Sequence, residues 1–192
     1  MACALIAIGA SWGGLRAVGD VLAGLPADLG PAVVVAQHRA HDSSETALTS
    51  ALGRRSPLPV REAGDKDPVE GGRVYLAPPD YHLLVEEGHF ELSLEAPVTH
   101  SRPSIDVLFE SIADSYGDRA VGVLLTGASE DGAAGLLRMR EAGCFTVVQD
   151  PQDAERREMP AAAVGAGAAE RVCALAEIPA LVLDACAARA AA

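Results

Sequence analysis

The sequence predicts an α/β fold: a doubly wound, mainly parallel sheet with a small antiparallel hairpin at one edge. Three observations carry that expectation. Short, wholly apolar segments alternate with stretches whose apolar residues recur at helical spacing. Strands that are apolar throughout belong to sheets covered by helices on both faces. One pair of strand-like segments, split only by Glu87-Gly88, reads as a hairpin.

Residues 3–8 form the first expected strand, followed by the tight turn Gly9-Ala10-Ser11-Trp12-Gly13-Gly14. Leu15, Val18, Val21, Leu22 and Leu25 then repeat at helical spacing up to Leu25-Pro26, where proline stops the helix. The Val-rich run 32–36 is a second buried strand, and Asp42 or Ser43 is the expected cap of a helix over 45–52. Short strands at 58–60 and 73–76 flank the turn-rich stretch 64–72, and the hairpin occupies 82–86 and 89–94. Ser104 caps a helix running to Tyr116, with Ile105, Leu108, Phe109 and Ile112 on one face. Residues 120–125 are a strand, 126–132 a turn, and a helix follows to Glu141. Another strand at 144–148 leads into a polar loop, 149–159; helices are expected at 160–166 and 178–190, and the Ala-rich tail after Ala185 should fray.

Composition narrows the function. The 192 residues are 49% hydrophobic and 22% charged, enough for one domain over 1–192 that buries about 70% of its unfolded surface. Aromatics are only 4%, so Ala, Val, Leu and Ile must build the core. A net charge of −12, with Lys66 the single lysine among 15 scattered basic residues, argues against a nucleic-acid partner. Cys3, Cys144, Cys173 and Cys186 form no C-x-x-C pair, and read as thiols in a reducing compartment. The apolar start, 2–10, is too short to span a bilayer and lacks a basic flank, so a cytoplasmic protein without membrane insertion is expected.

In an open parallel sheet, chemistry gathers beyond the carboxyl ends of the strands. Ser11 lies just past the first strand in a G-x-S-x-G turn, where small neighbours let a serine project from a strand-to-helix bend. His38 follows the second strand, and Asp131 stands at the start of the helix after the 120–125 strand. A serine hydroxyl needs an imidazole to take its proton, and the imidazole needs a carboxylate to fix its tautomer. The helix beginning near Gly13 would point its free backbone N–H groups at the same spot, where they would face the developing charge.

Taken singly, each residue has a plainer reading. Ser11 is a reasonable helix cap, Asp131 a helix-start carboxylate favoured by the dipole, and His38 an ordinary strand-end histidine. His41 is a rival base and Asp150 a rival carboxylate. The convergence of three residue types at one edge favours the triad. Gly9 to Gly14 lacks the third-position glycine of a dinucleotide turn, and no G-K-[ST] exists for a P-loop. An α/β-hydrolase orders its triad serine, acid, histidine; here no histidine follows His100.

Several motifs occur in series: Ala7-Ile8-Gly9-Ala10-Ser11 with Gly13-Gly14, Gln37-His38, Gly72-Arg73-Val74-Tyr75-Leu76-Ala77-Pro78, His100-Ser101-Arg102-Pro103-Ser104-Ile105-Asp106-Val107-Leu108-Phe109, Leu125-Thr126-Gly127, Asp131-Gly132-Ala133-Ala134-Gly135 and Met159-Pro160. The set resembles the catalytic domain of the bacterial chemotaxis receptor methylesterase, the CheB type, over nearly the whole chain. The resemblance implies hydrolysis of glutamate γ-methyl esters on methylated chemoreceptor-like proteins, releasing methanol, and in some members glutamine deamidation. It implies no metal and no organic cofactor. Carried over by position, Ser11 is the nucleophile, His38 the base and Asp131 the orienting acid. A non-catalytic module that keeps the fold and binds receptor or signalling partners is the alternative, and a small-molecule esterase a third reading.

The chain departs from the family pattern at three places. Trp12 stands where a threonine is usual, Ala128-Ser129 replaces Met-Gly, and Glu155-Arg156-Arg157-Glu158 replaces a small apolar run; by the resemblance, Trp12, Gly13 and Ala128 flank the oxyanion pocket. Members of the family commonly carry an N-terminal phospho-receiver domain. Here the first strand begins by Cys3, so either the esterase stands alone, in which case basal activity without a phosphodonor is expected, or Met1 marks an excised domain.

Overall fold

The computed structural model describes residues 3–39 and 45–191; the expected cap at Asp42 or Ser43 and the rival base His41 lie outside the described residues. In chain order the elements are β1 (Leu5–Ala10), α1 (Gly14–Ala23), β2 (Ala32–Gln37), α2 (Glu45–Gly53), β3 (Val60–Glu62), β4 (Val74–Leu76), β5 (His82–Glu86), β6 (His89–Ser93), α3 (Ile105–Tyr116), β7 (Ala120–Leu124), α4 (Ala133–Glu141), β8 (Phe145–Gln149), α5 (Glu158–Gly165), β9 (Arg171–Cys173) and α6 (Ile178–Ala191). Seven strands form one sheet in the order β3-β4-β2-β1-β7-β8-β9, with every pair parallel. The doubly wound parallel fold expected from the sequence is the fold observed.

The alternation of side chains explains why β1 needs to be apolar throughout. Leu5 and Ala7 face one layer with Phe109, Leu136 and Ala163, whereas Ile6 and Ile8 face the other with Val18, Leu22 and Ile178. Each fully buried Leu or Ile is worth roughly 1.5–3 kcal/mol relative to exposure, so a polar residue has no tolerable place in this strand. β1 runs two residues beyond the expected end, because Gly9 and Ala10 keep their ladder with Ala36 and Gln37.

The hairpin β5–β6 pairs only with itself, as a separate two-stranded sheet. It buries Leu83, Val85 and Phe90 in the same core layer as α3's Leu108 and Ile112. The far edge of the main sheet is instead β9, which has no counterpart in the sequence reading. Its Arg171 and Val172 are exposed, so no apolar run announces it; the ladder to β8 alone defines it.

Cys3, at the entry to β1, and Cys186, on α6, are joined as a disulfide with Cα atoms 4.9 Å apart. The expectation of four free thiols is therefore corrected for this pair. A sequence separation of 183 residues gave no spacing signal for it. Cys144 and Cys173 are free, and burial pushes the Cys144 thiol up to about 12. Among the described residues, no helix is long and apolar enough to cross a membrane.

Connectivity positions the site. From β1 the chain first extends the sheet to one side, through β2, β3 and β4, and later returns to place β7 on the other flank of β1. Such a reversal opens a crevice at the carboxyl end of the central strands.

Candidate active site

Ser11 and His38 emerge side by side because β1 and β2 are paired in parallel register up to Ala10 and Gln37. The ladder continues one step further, with the His38 N–H donating to Ala10 O at 2.9 Å. Gln37 locks both residues: its Nε2 donates to Ser11 O at 2.8 Å and to His38 O at 3.0 Å. A glutamine closing an apolar strand was the available sequence signal for this role, and sequence reasoning missed it.

Asp131 reaches the same place from the loop after β7. Its Oδ2 lies 2.6 Å from His38 Nε2, and the carboxylate is fully buried. Three further donors saturate it: Ser104 Oγ at 2.8 Å, the Ile105 N–H at 2.7 Å and the Asp106 N–H at 3.1 Å. Asp131 thus closes the N-terminus of α3, although it comes from the entry to a different helix. Burial pushes its carboxyl up, but the His38 hydrogen bond and the two backbone donors outweigh that and hold it below the ordinary carboxylate value.

The ring orientation follows from this pairing. With Nε2–H donating to Asp131, Nδ1 is the acceptor nitrogen, and Ser101 Oγ lies 3.4 Å from it. Among the described residues Ser11 Oγ makes no hydrogen bond to the ring. The structure therefore joins His38 to Asp131 and sets Ser11 on the adjoining strand end. The rival carboxylate Asp150 instead closes its own turn, accepting from the Gln152 N–H at 2.8 Å.

The turn that carries Ser11 is open. Gly13 takes a left-handed conformation (φ 77°) to cap α1 and offers no side-chain cap, and the Gly14 N–H donates to Ser11 O at 2.8 Å. The helix start thus stands next to Ser11. Gly127 presses against the serine from the other side: a Cβ there would lie 2.9 Å from Ser11 Cβ. Ala128, one residue on, is exposed. Trp12 is 59% exposed, and the Arg156 guanidinium lies 5.2 Å from its ring centre. Thr126, which sequence reasoning quoted only within Leu125-Thr126-Gly127, stitches the turns together: its Oγ1 donates to Trp12 O at 3.0 Å and accepts from the Arg156 N–H at 2.9 Å. Beside Ser11 a cavity of about 570 Å³ is lined by Gly13, Leu15, Arg16, Gln37 and Arg54.

A family model described as CheB methylesterase matches residues 6–182. The chain belongs to the CheB methylesterase family. Within it, a protein-glutamate methylesterase/protein-glutamine glutaminase of Hahella chejuensis is 48% identical over 182 residues, covering 93% of this chain and 50% of that protein. A Leptospira interrogans protein provisionally given the same name is 41% identical over 179 residues, 93% of this chain and 92% of its own length. The chain thus spans half of the first relative and nearly all of the second. The crystal structure of the Thermotoga maritima CheB methylesterase catalytic domain superposes with a TM-score of 0.90 at 28% identity, covering 96% of this chain and 99% of that one. The three departures from the CheB pattern meet on one rim: Trp12 beside Arg156, Glu155 against Gly13, and Ala128 next to Gly127.

Proposed function

We propose that this chain is a serine esterase that hydrolyses glutamate γ-methyl esters on methylated chemoreceptor-like proteins, with Ser11, His38 and Asp131 as its triad and 1–192 as one catalytic domain. The observation that carries the reading is the His38 Nε2–Asp131 Oδ2 bond of 2.6 Å at the carboxyl edge, next to the serine that ends β1. Ser11 Oγ attacks the ester carbonyl carbon while His38 Nδ1 takes its proton. The tetrahedral oxyanion is met by the uncapped N–H groups at the start of α1, around Trp12 and Gly13, with Ala128 bounding the pocket. Collapse expels methoxide, which leaves as methanol with the proton from Nδ1. Water then attacks the acyl-serine, gives its proton to Nδ1, and releases the glutamate carboxylate and Ser11. An amide substrate would follow the same course, with ammonia as leaving group, which accounts for glutamine deamidation by one site. A cytoplasmic setting fits a partner whose methylated helices lie on the cytoplasmic side of a membrane receptor.

The expected result with methyl-labelled receptor is methanol release by wild type and none by Ser11→Ala. A fluorophosphonate probe should label wild type and not the variant. Equal release from both proteins would overturn the role of Ser11, and an unlabelled, inactive wild type would favour the non-catalytic binding module.

A further inference from the structure

Next to the triad carboxylate lies a second buried carboxylate that the reaction does not use. Asp106, in the first turn of α3, is 8% exposed. Its Oδ1 accepts the Gly132 N–H at 2.9 Å and the Gly135 N–H at 2.7 Å. Those are the cap and first-turn donors of α4, which has no side-chain cap of its own from Gly132. Asp131, at the entry to α4, meanwhile takes the Ile105 and Asp106 N–H groups at the start of α3. Each helix therefore has its N-terminus closed by a carboxylate from the other. Gly135 makes the crossing close enough, since a Cβ there would sit 2.7 Å from Asp106 O and 2.8 Å from Phe109 Cβ.

We propose that Asp106 is a positioning residue of this site that acts through Asp131: the reciprocal capping of α3 and α4 fixes the carboxylate that orients His38. The inference rests on the triad reading above. Breaking the Asp106 half frees the Gly132 N–H, the residue next to Asp131, and loosens the cradle from the side opposite His38.

Ionisation gives the pair a second property. Burial pushes the Asp106 carboxyl up to about 6, and the neighbouring Asp131 charge adds to the rise while the Gly135 and Gly132 N–H groups oppose it. The other charged or titratable groups around α3 are His38 beyond Asp131, His82 of β5 against the Ser104 N–H, Glu110 one turn along, and Arg138 of α4, which pairs with Asp114. Ionised, Asp106 takes the two N–H groups and leaves Asp131 to His38. Protonated, it donates towards Asp131 and competes with the ring. Protonation of Asp106 then contributes to the loss of activity on the acid side.

Asp106→Asn keeps an acceptor but has a permanent N–H donor facing Asp131; Asp106→Ala removes the cap. The expected result is a kcat fall of about 10-fold for Asn and about 10²-fold for Ala with KM unchanged, the scale of a small misplacement of a reacting group. The acid limb of log kcat against pH should steepen beyond a slope of one in wild type and return to one in the Asn variant. A merely structural role would lower the curve without altering that slope. Two readouts do not need turnover. The His38 Nε2–H resonance should move in Asp106→Asn. The Tm of Asp106→Asn relative to wild type should rise from pH 4 to pH 8, because a carboxyl raised in the fold weakens folding as pH climbs through its ordinary value to about 6. Unchanged kcat, slope and resonance in Asp106→Asn would overturn the proposal. An inactive wild type would overturn the esterase reading instead, with the resonance still reporting on Asp106.

Discussion

The two halves of the site are built on opposite principles. On the acid side, Asp131 is fully buried and holds four hydrogen-bond donors, and its neighbour Asp106 holds two more. On the nucleophile side, Trp12 stands in solvent, the start of α1 has no side-chain cap, and the 155–156 segment leans on it from outside. A buried carboxylate must be saturated or it becomes protonated, so its surroundings admit little change. An exposed rim carries no such requirement. The three departures named from the sequence, at Trp12, Ala128-Ser129 and Glu155 to Glu158, lie on the rim. Under the proposed function, the comparison separates residues that make the chemistry possible from residues that choose what enters.

The sharpest way to break this division is Asp131→Asn. The amide cannot hold the ring with Nδ1 as acceptor in the same manner, and it places an N–H against the Ile105, Asp106 or Ser104 donors. Activity should fall by about 10⁴ in kcat, as an orienting acid of this kind does elsewhere. Single-turnover kinetics on methylated receptor would measure it. A loss under tenfold would mean that the cradle positions nothing.

A smaller effect should follow from Gly135→Ala. The added methyl would meet the backbone of Asp106 and the Phe109 side chain at 2.7–2.8 Å, so α3 and α4 must part. Overpacking of this type costs about 1–3 kcal/mol. Denaturant unfolding should show that loss, together with a fall in kcat, while KM for receptor stays near wild type. Loss of stability at unchanged kcat would uncouple the helix crossing from the site.

How much of this was legible follows from the same division. The placement of Ser11, His38 and Asp131 at one edge could be read because each ends a strand or opens a helix, and parallel strands finish at a common edge. The cradle was only half legible. Ser104 announced itself as a helix cap, but its hydroxyl also serves a carboxylate 27 residues away, and Asp106 looked like an ordinary first-turn acid. Tertiary crossing of two helices makes that arrangement, and no local pattern encodes it. The ring nitrogen that faces Asp131 was equally out of reach, since it depends on the angle between β2 and the 126–131 loop. Edge strand β9 and the Cys3–Cys186 pairing were missed for a related reason: partners supplied by distant elements define them.

The rim offers the smallest effects and the clearest contrast. Trp12→Ala and Arg156→Ala remove the two members of one stacked pair, 5.2 Å from guanidinium to ring centre and open to water. An exposed cation–π contact is worth about 0.5–1 kcal/mol, so either variant should cost little stability. If the pair guides the receptor helix towards Ser11, each variant should raise KM for receptor by a few-fold and leave kcat alone, and the double variant should do little more than either single one. Hydrolysis of a small neutral methyl ester, which does not reach the rim, should be unchanged in all three. A fall in kcat on the small ester would instead tie Trp12 to the oxyanion pocket, and the boundary between machinery and rim would move one residue closer to the serine.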